Sequence, residues 1–206
     1  MHNPEYIYSE QPAIELFKSM GYQYYDANKS DERDSIHDVI LIDRLQAAIK
    51  RINPWINESN LNKAVDKVSN IAATSIIEAN LLVWELIRGR KFAPKQLING
   101  KEAFHGIAYI DYENPENNDF LIVNQMKFSG KPQNSIPDIV VFINGLPVAV
   151  IECKSPTAIN AMDKALDDLK YYQDSSEQLF YYNQLCVGVC KRDGMYGAIT
   201  AKPTYY

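Results

Sequence analysis

Apolar positions in the first half of the chain recur at helical spacing. Ile14, Phe17 and Met20, with Leu16 beside them, mark one face of a helix over residues 10–20 that Gly21 closes. Residues 22–33 are polar apart from a tyrosine cluster and read as a loop. From 34 to 90 the helical period returns. Val39, Ile40, Ile42, Leu45, Ile49 and Ile52 fit one helix, broken at Asn53-Pro54. Val65, Val68, Ile71 and Ala72 fit a second, and Ile76 to Ile87 a third, closed at Gly89. After residue 95 the period changes. GIAYIDY (106–112), FLIVNQMKF (120–128), IVVFI (139–143), PVAVIEC (147–153) and LCVGVC (185–190) are β-rich runs. Between the last two, residues 157–173 set Ile159, Met162, Leu166, Leu169 and Tyr172 on one helical face, with Pro156 near the start. The second half therefore predicts β-β-β-β-α-β, a mixed sheet with a crossover helix, and the whole an α/β fold with a helical N-terminal segment.

Composition adds limits. The 206 residues are 46% hydrophobic and 23% charged, as in ordinary globular proteins. No segment reaches the ~18 uninterrupted apolar residues of a membrane helix. The opening MHNPEYIYSEQPAIEL has neither the basic start nor the apolar run of a signal peptide. Cys153, Cys186 and Cys190 make an odd set, which fits reduced thiols in the cytoplasm, and the last two sit in an apolar run as core residues. His2, His37 and His105 fit no ligand or triad spacing. There is no G-x-x-x-x-G-K-[ST] loop, so this chain alone is not expected to hydrolyse ATP. The net charge of -5 means that, were DNA the substrate, other modules would supply much of the grip.

The chemistry concentrates in PDIVVFINGLPVAVIECKSP, residues 137–156. Two apolar strands flank Asn144-Gly145. Asp138 opens the first, and Glu152 and Lys154 close the second. Side chains alternate along a strand, so Glu152 and Lys154 share a face and Cys153 points away. A plain two-residue turn pairs Ile143 with Leu146 and Asp138 with Ile151, which puts the two carboxylates on opposite faces. A three-residue loop or one bulge brings them together, and Gly145 and Pro147 favour a bulge because both weaken a regular ladder. Converged carboxylates repel and raise one another's pKa, and a hard divalent cation, Mg²⁺ or Mn²⁺, relieves this. Such an ion acidifies water and stabilises charge on a phosphoryl oxygen, with Lys154 placed to assist. A salt-bridged, solvated hairpin end gives the same sequence pattern, so spacing alone leaves both readings open.

Pro137-Asp138 followed by Glu152-Cys153-Lys154 across an apolar hairpin resembles the PD-(D/E)xK nuclease core. NPENNDFLIVNQMKF, the hairpin itself, LFYYNQLCVGVC, GAITA and the opening EQPAIELFKSMGYQY are similar to the N-terminal nuclease domain of the R (restriction, motor) subunit of Type I restriction enzymes. The resemblance implies a restriction-endonuclease-like mixed β-sheet flanked by helices. It implies a single nuclease domain over 1–206, with 26–95 a mostly helical insertion and 96–206 the sheet core, and an ATP-driven motor following residue 206 of a longer subunit. Its partners would be DNA and the modification (methyltransferase) and specificity subunits, and its products double-strand breaks. Asp138 and Glu152 would hold Mg²⁺, for which Mn²⁺ can substitute, and Lys154 would assist catalysis. Glu10 lies where related nucleases place another metal-facing carboxylate. The family's Gln-x-x-x-Tyr helix motif is matched at Tyr172, but Asp168 stands in the glutamine position. An i, i+4 pair shares a helix face, so both are expected beside the site. Lys127, Lys131, Lys191 and Arg192 flank predicted strands as candidate phosphate contacts. Two other readings stand beside this one: a repair nuclease of the same fold, and a docking module that kept the fold without the chemistry.

Overall fold

The computed structural model describes residues 4–191 and 193–206. A π-helical turn, Tyr6–Glu10, runs directly into α1 (Gln11–Ser19), with Pro12 in the first turn. The helix stops at Gly21, whose φ of +92° costs glycine little. The chain then enters β1 (Gln23–Asp26), a strand where a loop is expected from the sequence. α2 (Ile42–Ile52) begins later than the apolar pattern suggests, so Val39, Ile40 and Leu41 are buried without being helical. The Asn53 amide donates to the carbonyls of Ile49 and Ala108 at this helix's end. α3 (Glu58–Ser69) is capped by Asn57 and α4 (Ile76–Gly89) by Ser75; Ile71 and Ala72 fall between the two rather than inside a helix.

β2 (Lys95–Ile98) and β3 (Lys101–Phe104) form a separate hairpin. The next run, 106–112, is not the strand expected from its composition. Ile107, Ala108, Tyr109 and Ile110 are buried, but side chains satisfy much of their backbone: Asn53 accepts from Ala108, and Asn144 donates to Tyr109. β4 (Phe120–Asn124), β5 (Ile139–Ile143) and β6 (Leu146–Cys153) form an antiparallel meander. α5 (Ala161–Ser175) and the short α6 (Glu177–Phe180) lead to β7 (Leu185–Cys190), parallel to β6, and to an edge strand, β8 (Asp193–Gly197). β1 pairs in parallel with β4, so the six-stranded sheet has the order β1-β4-β5-β6-β7-β8. The sheet thus draws in residues 23–26 and leaves out 95–119. It is a mixed sheet flanked by helices, consistent with a restriction-endonuclease-like fold.

Alternation divides the sheet into two faces. Leu121, Val123, Val140, Phe142 and Val150 join the larger cluster with α2, α3, α4 and α5. Ile122, Ile139, Val141, Ala149 and Ile151 pack with Ile14 of α1 on the opposite face. A Cβ at Gly188 would sit 3.1 Å from Ala165, so glycine in β7 admits α5 close to the sheet. The Asn144-Gly145 turn is itself buried. Asn144 has φ +53° and Gly145 +79°, and a Cβ at Gly145 would meet the Leu41 carbonyl at 2.4 Å.

Candidate active site

The β5–β6 pairing fixes the register that decides the site. Ile143 faces Leu146 and Phe142 faces Pro147, but Val141 faces Ala149, so Val148 is the extra residue of a bulge. Beyond it Ile139 faces Ile151. One step further along this register, Asp138 lies opposite Glu152, on the face covered by α5. Of the two routes to convergence, a longer loop or a bulge, the chain takes the bulge.

The start of β5, the ends of β4 and β6, the π-helical turn and α5 meet at this edge of the sheet. Asp138 Oδ2 accepts the Cys153 N–H at 2.7 Å. Lys154 Nζ lies 2.6 Å from Glu152 Oε1 and 2.7 Å from Asp168 Oδ2. The π-helical turn reaches the same edge. Ser9 Oγ donates to the Lys154 carbonyl at 2.7 Å and accepts from the Lys191 N–H at 3.0 Å, which pins the turn against β6 and β7. Glu10, only 5% exposed, receives the Asn124 amide at 3.0 Å. Gln125 Nε2 donates to Asp138 Oδ1 at 2.8 Å and to Glu10 Oε2 at 3.4 Å.

The model of the Type I restriction enzyme R protein N terminus matches residues 5–205. The chain belongs to this family. It is 34% identical, over an alignment of 207 positions that covers 97% of its length, to a protein of Methanocaldococcus jannaschii named as the MjaIXP type I restriction enzyme endonuclease subunit. It is 28% identical over 201 residues, 92% of its length, to the HindI endonuclease subunit of Haemophilus influenzae. These alignments cover 20% and 19% of the two relatives, so the chain spans about a fifth of their length.

In this R-protein N-terminal domain, Asp168 and Tyr172 both lie on the α5 face turned to the site, as their spacing requires. Asp168 is the second partner of Lys154, so the acid in the glutamine position pairs with the lysine. The Tyr172 hydroxyl donates to the Ile136 carbonyl at 3.4 Å. Burial, then the charges of Glu152, Asp168 and Asp138, keep it protonated. Lys127 and Lys131 are exposed and outside this cluster; the Lys191 backbone touches it through Ser9. His2 and Arg192 lie outside the described residues. All three cysteines are buried.

Electrostatics single out Glu152. Burial, followed by the charge of Asp138, pushes its carboxyl up to about 8. Burial also raises Asp138 and Glu10 above the ordinary carboxylate range, outweighing their hydrogen bonds. Burial opposes the Lys154 ammonium, but Glu152 and Asp168 outweigh it and hold the lysine protonated. The pair acts equally on both partners; burial and Asp138 outweigh it at Glu152, while Asp168 adds to it at Lys154. Lys154 has two carboxylate partners, whereas the buried Oε2 of Glu152 makes no hydrogen bond of full geometry, with the Tyr172 hydroxyl beside the carboxyl group.

That oxygen tests the fit of a cation. Asp138 and Glu152 are hard oxygen donors facing each other, one with a buried oxygen that makes no hydrogen bond of full geometry, and they fit a small divalent ion whose remaining ligands are water. Glu10 lies behind Gln125, whose amide bridges it to Asp138, and the charge of Asp138 helps to raise its carboxyl. Sequence reading missed Asn124, Gln125 and Ser9. Their signal was a polar pair ending the apolar run FLIV and a serine beside Glu10.

Proposed function

We propose that this R-protein N-terminal domain is the nuclease of a Type I restriction enzyme, a Mg²⁺-dependent hydrolase of DNA phosphodiester bonds that makes double-strand breaks. The observation that carries the reading is the bulged register that sets Asp138 opposite Glu152, with Lys154 beside them, in a member of this family. Asp138 and Glu152 would hold the ion. Bound there, it would lower the pKa of a water and offset charge on a phosphoryl oxygen. Mn²⁺, of the same ligand preference, would substitute.

The chain's own residues supply the rest. The Cys153 N–H fixes one oxygen of Asp138, so that carboxylate is oriented before any ligand arrives. Glu152 offers its buried Oε2. Lys154, kept charged by Glu152 and Asp168, is the donor for charge developing on the phosphate. Tyr172 of α5 stands beside Glu152 and stays protonated there, so its hydroxyl is a neutral neighbour of the carboxylates. With a net charge of -5, the domain relies on the rest of the assembly for its grip on DNA. That assembly comprises an ATP-driven motor in the same subunit, with modification and specificity subunits, working in the cytoplasm. Among the described residues no helix is long and apolar enough to cross a membrane.

The test is plasmid cleavage by the complete assembly carrying Glu152→Ala, with ATP hydrolysis followed in the same tubes. Cleavage is expected to vanish while ATP turnover continues. Cleavage at the wild-type rate would reduce the hairpin to a structural element.

A further inference from the structure

Gln125 follows the last residue of β4 with φ +53°, a left-handed conformation that residues other than glycine, asparagine and aspartate seldom adopt. Its backbone N–H donates to the Asp138 carbonyl at 3.0 Å, which carries the β4–β5 ladder one step past the strand. In this conformation the side chain meets both nearby carboxylates, Asp138 at 2.8 Å and Glu10 at 3.4 Å. Behind it, Asn124 donates to the other Glu10 oxygen at 3.0 Å and accepts from the Tyr24 hydroxyl at 3.1 Å. A continuous chain of hydrogen bonds therefore runs Tyr24–Asn124–Glu10–Gln125–Asp138–Cys153. Gln125 is its one link between the N-terminal turn and the β5–β6 hairpin.

The chemistry of that link is specific. A carboxamide has two N–H donors and no charge. It can hold Asp138 in a set orientation and still give way to a cation, because it does not neutralise the carboxylate as a lysine would. A residue needed only for the turn would be better as glycine or asparagine, which enter the left-handed region at lower cost. Neither spans the distance to both carboxylates.

We propose that Gln125 is a positioning residue: its left-handed backbone and side-chain amide tether Asp138 to Glu10 and so set the metal-binding carboxylate in place. This inference rests on the metal-dependent nuclease reading. Glu10 acts in it as the anchor behind the amide, a buried glutamate held from its other oxygen by Asn124.

The test is Mn²⁺ binding to the full chain, read from the electron paramagnetic resonance signal of free Mn²⁺, with thermal unfolding measured on the same samples. Gln125→Gly removes the side chain and relieves the backbone, so its Tm should equal or exceed that of the wild type. Its Mn²⁺ affinity should fall by about tenfold, as when an outer-shell partner of a metal ligand is lost. Equal affinity in the two proteins, with or without a lower Tm, would overturn the assignment and leave the nuclease reading standing. Failure of the wild type to bind Mn²⁺, or binding unaffected by Asp138→Ala, would remove the nuclease reading and this inference with it.

Discussion

Glu152→Gln should make the metal-free protein more stable at pH 8 and change it little at pH 5. Glu152 is 4% exposed, and its carboxyl is raised from an ordinary 4.5 to about 8 by burial and then by Asp138. A raised carboxyl pKa means that the fold prefers the protonated form. Its contribution is intact below 4.5 and is lost as pH rises through about 8. At ~1.4 kcal/mol per pKa unit, ionising this one group costs the folded state roughly 3 kcal/mol between pH 5 and pH 8. Glutamine keeps the shape and an acceptor for Lys154, which retains Asp168 at 2.7 Å, and removes the titration. Urea unfolding at both pH values, with chelator present, measures the difference. The variant should gain a few kcal/mol over the wild type at pH 8, within the desolvation cost of a buried carboxylate even when it is paired. Mg²⁺ should reverse the ranking, because the ion binds only the native wild type. If the two proteins lose stability in parallel from pH 5 to 8, or if glutamine is the less stable at pH 8, the account of Glu152 is wrong.

Two further substitutions separate fold from chemistry. Asn144→Ala removes a buried amide that donates to Tyr109 and Asn118 and accepts from Asp119 and, at 3.4 Å, from Arg51, so it should cost about 3–4 kcal/mol in urea unfolding at ~1 kcal/mol per hydrogen bond; a loss under ~1 kcal/mol would show that this network does not hold the turn. Asp168→Ala breaks a pair whose acid is 45% exposed, so stability should change by no more than ~1 kcal/mol. Cleavage by the assembly should nonetheless slow, because Lys154 loses one of its two anchors, and an unaltered rate would leave Asp168 without a role in holding it.

The hairpin was legible in the sequence because its information is local. Apolar alternation, Asn144-Gly145 and the charges at one end lie within residues 137–156, and Pro147 already pointed to an irregular ladder. α4 and β7 were equally plain. The misreadings share a cause: the backbone's partners were distant or were side chains. β1 has no apolar alternation, since Tyr24 and Tyr25 are both half-buried, and it becomes a strand only by pairing with β4. Residues 106–112 have strand composition, but asparagines from three other segments satisfy their backbone. The β2–β3 hairpin was signalled by Asn99-Gly100, both at positive φ, and went unread between two longer patterns. In the site, the acids and the lysine were visible by type and spacing. The amides that orient them were not, because an asparagine or glutamine at a strand end is common and only its geometry marks it out.

The chain of hydrogen bonds through Gln125 also implies an order of assembly. Asp138 meets Gln125 across 13 positions of sequence and Cys153 across 15. Glu10 meets Asn124 across 114, and Ser9 meets Lys154 across 145. Closing the longer loops costs more entropy, so the meander is expected to form first and the N-terminal segment to dock afterwards, an order that φ-values at Val140 and Ile14 would check. The same segment is then the natural first unit to detach in native-state hydrogen exchange. Each such excursion would take Glu10 and its tether away from Asp138 while the hairpin keeps its register, so the centre would lose its support without the fold being lost.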